Sequence, residues 1–204
     1  MIVVIEGPSA AGKTTWIRSH AQGAVIEEAS VSGAPDRDVD PVGAAAFWAK
    51  VSANRWTETI KAEQQSGLVV CDCDPFKLHY VWSLWRIGKV GKEQWRAELD
   101  ATRKLFEARL LGLADLILIR IPNPATLAEQ ARSDTSRQRN NFPLHSQLAE
   151  PLREWYQAVE QLGPKRVRWE LPAEGVPNWD GIGRRSERSG IAIFDDLISQ
   201  LPAS

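Results

Sequence analysis

The stretch Gly7-Pro8-Ser9-Ala10-Ala11-Gly12-Lys13-Thr14 completes the pattern G-x-x-x-x-G-K-[ST] directly after the apolar run Ile2-Val3-Val4-Ile5. Glycines at both ends let successive backbone N–H groups turn inward around an anion. Gly7, Ser9, Ala10, Ala11 and Gly12 are therefore the expected cradle for the phosphates of a nucleoside triphosphate. Lys13 reaches the β- and γ-phosphates, and the Thr14 hydroxyl is suited to ligate Mg²⁺. Thr15 opens a short helix through His20, whose N-terminal dipole points at the same anion. Strand, loop and helix in this order predict a phosphate-binding loop, with ATP and Mg²⁺ as the implied cofactors.

Working outward, Ala24-Val25-Ile26 reads as a second strand that delivers Glu27 and Glu28 to its carboxyl end. Residues 29–42, rich in Gly, Pro and small residues, read as a mobile connection. A helix is expected from about Ala44 to Gln65, closed by Gly67. Leu68-Val69-Val70-Cys71 is a buried strand that delivers Asp72 and Asp74, and an aromatic helix from Phe76 to Ile87 follows. The stripe Trp95, Leu99, Thr102, Phe106, Leu110 predicts one face of a long amphipathic helix. Leu116-Ile117-Leu118-Ile119 is a further buried strand. A helix from Pro124 to Ala131 leads into a polar segment carrying Arg132, Arg137 and Arg139, and a stripe from Leu148 to Leu162 restores the helical period, with Pro151 near its start. Val167, Trp169 and Leu171 alternate as a fifth strand, and Ile191 to Leu201 closes the chain as a helix.

Strands alternating with helices specify an α/β fold of the P-loop NTPase type, a three-layer α/β/α domain with a mainly parallel five-stranded sheet and a helical lid at about 132–142. With 204 residues and no repeat or linker, one domain over residues 1–204 is expected. Lys and Arg total 25 against 26 for Asp and Glu, which argues against general nucleic-acid or membrane-surface binding. There is no secretory pattern at the N-terminus and no stretch long enough to span a bilayer, so the cytoplasm is the expected compartment. Cys71 and Cys73, two apart on a strand, are expected on one face as reduced thiols. Most of the nine tryptophans are expected to pack in the core or line a groove for a flat ligand.

In a parallel sheet ligands bind beyond the carboxyl ends of the strands, which gathers Lys13, Glu27, Glu28, Asp72 and Asp74 around one crevice. Phosphoryl transfer needs a metal ion, a base for the acceptor and positive charge on the migrating group. Thr14 would ligate Mg²⁺ directly, with Asp72 or Asp74 acting through water. Glu28 is the candidate base, with Glu27 its near rival. Arg132, Arg137 and Arg139 would close over the phosphates and exclude water.

This order of motifs resembles the deoxynucleoside kinase and thymidylate kinase group. The likeness runs from the phosphate-binding loop through Asp115 to Arg120, Pro124, the arginine-rich stretch and Phe142-Pro143-Leu144, to Leu152-Arg153-Glu154-Trp155-Tyr156. The resemblance implies that Glu28 takes the acceptor proton and that Phe47, Trp48 and Arg55 hold the base and sugar of a nucleoside or nucleotide. Those kinases carry an acid followed by arginine at the end of the third strand; here the pair is Asp72-Cys73. Arg55 or Arg86 would have to substitute, or the acceptor differs. The acceptor is thus expected to be a small molecule offering a hydroxyl or a phosphate. An antibiotic-type phosphotransferase is one alternative and a nucleotide-dependent switch or binding module another, and a homodimer is left open.

Overall fold

The computed structural model describes residues 1–133, 142–177 and 185–202. Strands β1 (Ile2–Glu6), β2 (Ala24–Ile26), β3 (Val69–Asp72), β4 (Leu116–Ile119) and β5 (Val167–Arg168) form one sheet in the order β2-β3-β1-β4-β5. Every pairing is parallel, with Val4 opposite Cys71 on one side and Ile117 on the other. The three central strands are buried along their whole length, as both-face coverage by helices requires.

The period of two along each strand divides the core. Ile2, Val4, Val69, Cys71, Ile117 and Ile119 pack on one face against Trp56, Phe76, Trp82, Phe106, Trp155 and Phe194. Val3, Ile5, Val70, Leu116 and Leu118 face Trp16 and Ile17 on the other. Trp16 and Ile17 belong to α1 (Lys13–His20). The larger cluster is covered by α2 (Pro41–Ser66), α3 (Leu78–Arg86), α4 (Lys92–Glu107), α7 (Ala149–Gln161) and α8 (Ile191–Gln200). Its tryptophans interlock: Trp82 meets Trp85 and Trp95 edge-on at 5.4 and 5.5 Å, while Trp85 stacks on Trp95. Two short helices, α5 (Pro124–Ser133) and α6 (Phe142–Gln147), flank residues 134–141, so Arg137 and Arg139 and most of the expected lid lie outside the described residues.

Several boundaries differ from expectation for local reasons. Helix α2 starts at Pro41 because Asp40 caps it, its carboxylate accepting from Gly43 N at 2.8 Å, and proline suits the first turn. Gly67 closes it, as expected, with φ 75° and its N–H on Glu63 O. Helix α4 stops at Glu107, the chain turns at Arg109 with φ 56°, and Leu110 is left 52% exposed instead of extending the apolar stripe. Pro151 sits in the first turn of α7, where its missing N–H costs no intrahelical bond, so there is no break. Strand β5 ends at Arg168, short of Leu171. Cys73 is not on β3: it has φ 65°, so the two thiols do not share a strand face, although both are free and buried.

Candidate phosphate and acceptor site

The phosphate-binding loop leaves β1 through two positions that demand glycine. Gly7 has φ 149° and a Cβ there would lie 2.3 Å from Arg120 O; Gly12 has φ 85° and caps α1 in the left-handed region. Between them Ala10 takes φ 72°, a conformation uncommon for a residue with a side chain. Lys13 folds back on the loop, donating to Gly7 O at 2.8 Å and Pro8 O at 3.3 Å. Thr14 Oγ1 donates to Asp72 Oδ2 at 2.7 Å, which brings the hydroxyl and carboxylate of the expected Mg²⁺ pair together from the start of α1 and the end of β3. Both are hard oxygen donors of the kind this ion takes, and its remaining ligands would be water and phosphate. Among the described residues no group of three His, Cys, Asp or Glu forms an all-protein metal cage.

A crevice of about 990 Å³ runs along this loop, lined by residues 10–16 and 18–20, by Glu28, by Arg120, Gln130 and Ser133, and by Trp169 to Leu171. Thr15 is exposed at its floor. Arg132 is exposed on the last turn of α5, beside Ser133. Glu28 lines the crevice, whereas Glu27 is exposed outside it and uses its carbonyl to accept from Arg55 Nη2 at 3.1 Å.

The structure gives Arg55 a task other than contacting an acceptor. Its guanidinium, 5% exposed, donates to the carbonyls of Glu27, Asp72, Cys73 and Asp74, stitching the end of β2 to the turn after β3. Arg86 is likewise committed, with two bonds to Glu154 at 2.9 and 3.0 Å and its charge over Trp82. Neither arginine lines the crevice.

Behind the loop lies a buried polar cluster of which sequence reading singled out only Asp74. Glu6 Oε1 accepts from Gly7 N at 2.9 Å and Oε2 from Asp74 N at 3.0 Å, so the carboxylate clamps the loop to the turn after β3. Burial opposes its charge, but His79, Lys77, Lys13 and the Asp74 N–H outweigh burial and bring the carboxyl down to about 2. Asp74 goes the other way. Wholly enclosed, it accepts from Phe76 N at 2.9 Å and from Tyr156 OH at 3.2 Å, and burial pushes it up to about 7. It is therefore an internal brace and not an open acceptor ligand. His79, held down to about 4 by burial, bonds Phe76 O through Nδ1 and faces Glu6 at 3.7 Å. Lys77, immediately before α3, lies 3.5 Å from Glu28 Oε1. A lysine directly after the run Asp72-Cys73-Asp74-Pro75-Phe76 was the available signal for it.

Phe47 and Trp48 of α2 and Tyr80 of α3 form an aromatic cluster outside the lining of the crevice. Trp48 meets Phe47 edge-on at 5.3 Å, and the Arg37 guanidinium lies over both Trp48 and Tyr80, at 5.3 and 5.9 Å. Arg37 is itself tied to Glu98 on α4 at 2.6 Å, and Tyr80 meets His145 of α6 edge-on at 6.2 Å. Trp48 Nε1 is buried without a hydrogen-bond partner.

A parallel sheet ordered 2-3-1-4-5, a glycine-bounded loop after its central strand and an acidic strand end across the crevice define the P-loop kinase fold. No family model and no curated protein sequence matches the chain. The structure is similar to that of a deoxyadenosine kinase from M. mycoides with bound dATP, with TM-score 0.57 and 13% identity over 83% of this chain and 90% of that one. It is also similar to the same kinase with the products dCMP and a flexible dCDP bound, with TM-score 0.54 and 12% identity over 83% and 89%. The fold is thus that of the deoxynucleoside kinases. No helix among the described residues is long and apolar enough to cross a membrane.

Proposed function

We propose that this chain is an ATP-dependent phosphotransferase that moves the γ-phosphoryl group to the hydroxyl of a small nucleoside-like acceptor. The observation that carries the reading is the position of Glu28, which lines the same crevice as Lys13 and Thr14 from the segment after β2. Burial raises the Glu28 carboxyl, but Lys77 and Lys13 outweigh it and hold it below the ordinary range, so it is ionised and able to accept a proton at neutral pH.

On binding the triphosphate, Lys13 exchanges its two loop carbonyls for phosphate oxygens, and the loop N–H groups and α1 take the remaining charge. Thr14, and Asp72 through water, would hold Mg²⁺, which when bound would neutralise phosphate charge. The acceptor O–H proton passes to Glu28, the acceptor oxygen bonds the γ-phosphorus, and the bond to the β–γ bridging oxygen breaks to release ADP. Glu28 in the crevice, with Asp72 and the buried Glu6 behind it, favours an uncharged hydroxyl over a phosphate acceptor. The faces of Trp48 and Tyr80 suit a flat ring. The likeness in fold to deoxyadenosine kinases supports the same reading.

Mass-spectrometric screening of nucleosides, nucleoside monophosphates and hydroxylated antibiotics with ATP and Mg²⁺ tests this. A phosphorylated nucleoside is the expected product. Product from an antibiotic alone would keep the reaction and change the acceptor, and product from monophosphates alone would contradict the charge argument.

A further inference from the structure

Among the described residues, few cations face the four carboxylates at the carboxyl end of the sheet. Lys13 is engaged by the loop, and Arg55 turns its guanidinium to backbone carbonyls. Cys73, in the turn directly after β3, is a buried free thiol and offers no positive charge. The cation left between these acids is Lys77. Its ammonium is 3.5 Å from Glu28, and although burial works against its charge, Cys73, Glu6 and Glu28 hold its pKa above the ordinary lysine value.

We infer that Lys77 supplies the positive charge the strand end lacks, acting as the positioning residue that holds the Glu28 carboxylate against the phosphate crevice. The inference rests on Glu28 being the base. A single ammonium does this work differently from an arginine: it is a point charge on a flexible stem, able to stay on Glu28 without the fixed fork that a guanidinium imposes. The pair is also open, the two side chains being 30% and 48% exposed, so it adds little to folding and its purpose is local.

The groups facing Glu28 are Lys77 before α3, Lys13 on α1, Glu6 at the end of β1, Cys73 after β3 and His145 on α6. Without Lys77, burial and Glu6 are opposed by Lys13 and the Cys73 hydrogen bond alone among these, and the carboxyl rises. In Lys77→Met the acid limb of kcat/KM should move up by about one pH unit or more, with kcat lowered on the order of 10²-fold. Lys77→Arg should return the limb toward its original position. A carbon-13 NMR titration of the Glu28 carboxyl, assigned with Glu28→Gln, should show the same upward move in Lys77→Met without any turnover being measured. If Lys77→Met does not fold, Lys77→Gln is measured in the same way. An unmoved limb and an unmoved carboxyl titration in a folded variant would overturn the inference. Absence of transfer to any acceptor by the unaltered enzyme would instead remove the base reading, while the NMR titration would still decide whether Lys77 governs Glu28.

Discussion

At the amino end of the sheet, Arg188 lies between two acids. It makes two bonds of 2.7 Å to Glu63 and further bonds to Asp115, which also accepts from Ile2 N at 2.7 Å and Arg185 N at 2.8 Å. At the carboxyl end, Glu6, Glu28, Asp72 and Asp74 share two lysines, backbone N–H groups and a hydroxyl, around a turn where Cys73 is held at φ 65°. The first cluster matches each charge with a partner of fixed geometry and is closed to solvent. Among the described residues, the second is short of cations, and it is open on one side. Matched, enclosed charge fixes the chain, whereas acidic groups with sparse compensation and strained backbone beside a crevice mark where chemistry is done.

The sharpest way to break this contrast is at the phosphate loop. Lys13→Ala should abolish phosphoryl transfer while leaving the thermal midpoint nearly unchanged, because the ammonium rests on loop carbonyls and not in the core. Near-normal turnover in a folded variant, measured by ADP release, would remove the loop from the mechanism. Glu28→Gln should cost roughly two to four orders of magnitude in kcat with ATP affinity retained. If Glu27→Gln shows that loss and Glu28→Gln does not, the base is the neighbour.

The opposite end should respond in stability and not in rate. Arg188→Met leaves Asp115 buried without its cation and Glu63 with the Met1 ammonium alone, and should cost about 3 to 5 kcal/mol in urea unfolding, with kcat of the folded fraction unchanged. A loss below about 1 kcal/mol would mean that the cluster is not the structural half of the comparison.

His79 gives a smaller, pH-dependent test. Its folded pKa of about 4 lies below the ordinary 6.5, so its neutral form contributes stability above pH 6.5 that is lost as pH falls through 4. Glu6, whose folded pKa is about 2, loses its contribution at lower pH, from about 4.5 downward. His79→Gln should therefore flatten the fall in unfolding free energy between pH 6.5 and 4 by up to about 3 kcal/mol. An unchanged slope would show that His79 titrates normally.

The phosphate loop was legible because its geometry is carried by eight consecutive residues and needs no distant partner. The sheet followed from short apolar runs separated by helical periods, and Glu28 and Asp72 from their places at strand ends. What escaped depends on tertiary contact. Arg55 reads as a free cation on a helix until four carbonyls from two strand ends are seen around it. Asp74 and Asp72 look alike in sequence, yet one is sealed under Tyr156 and the other faces Thr14. Leu110 fitted the helical stripe by spacing alone, and nothing local announced the turn at Arg109.

The central claim is that the open acidic end transfers phosphate to an acceptor and does not merely hydrolyse or sense ATP. Single-turnover measurement of ADP, inorganic phosphate and phosphorylated acceptor, with and without nucleoside, tests it most directly. The account predicts ADP and phosphonucleoside in a ratio near one, with ADP formation strongly suppressed when the nucleoside is withheld. ADP and inorganic phosphate appearing at the same rate in both cases, with no phosphorylated acceptor, would contradict it.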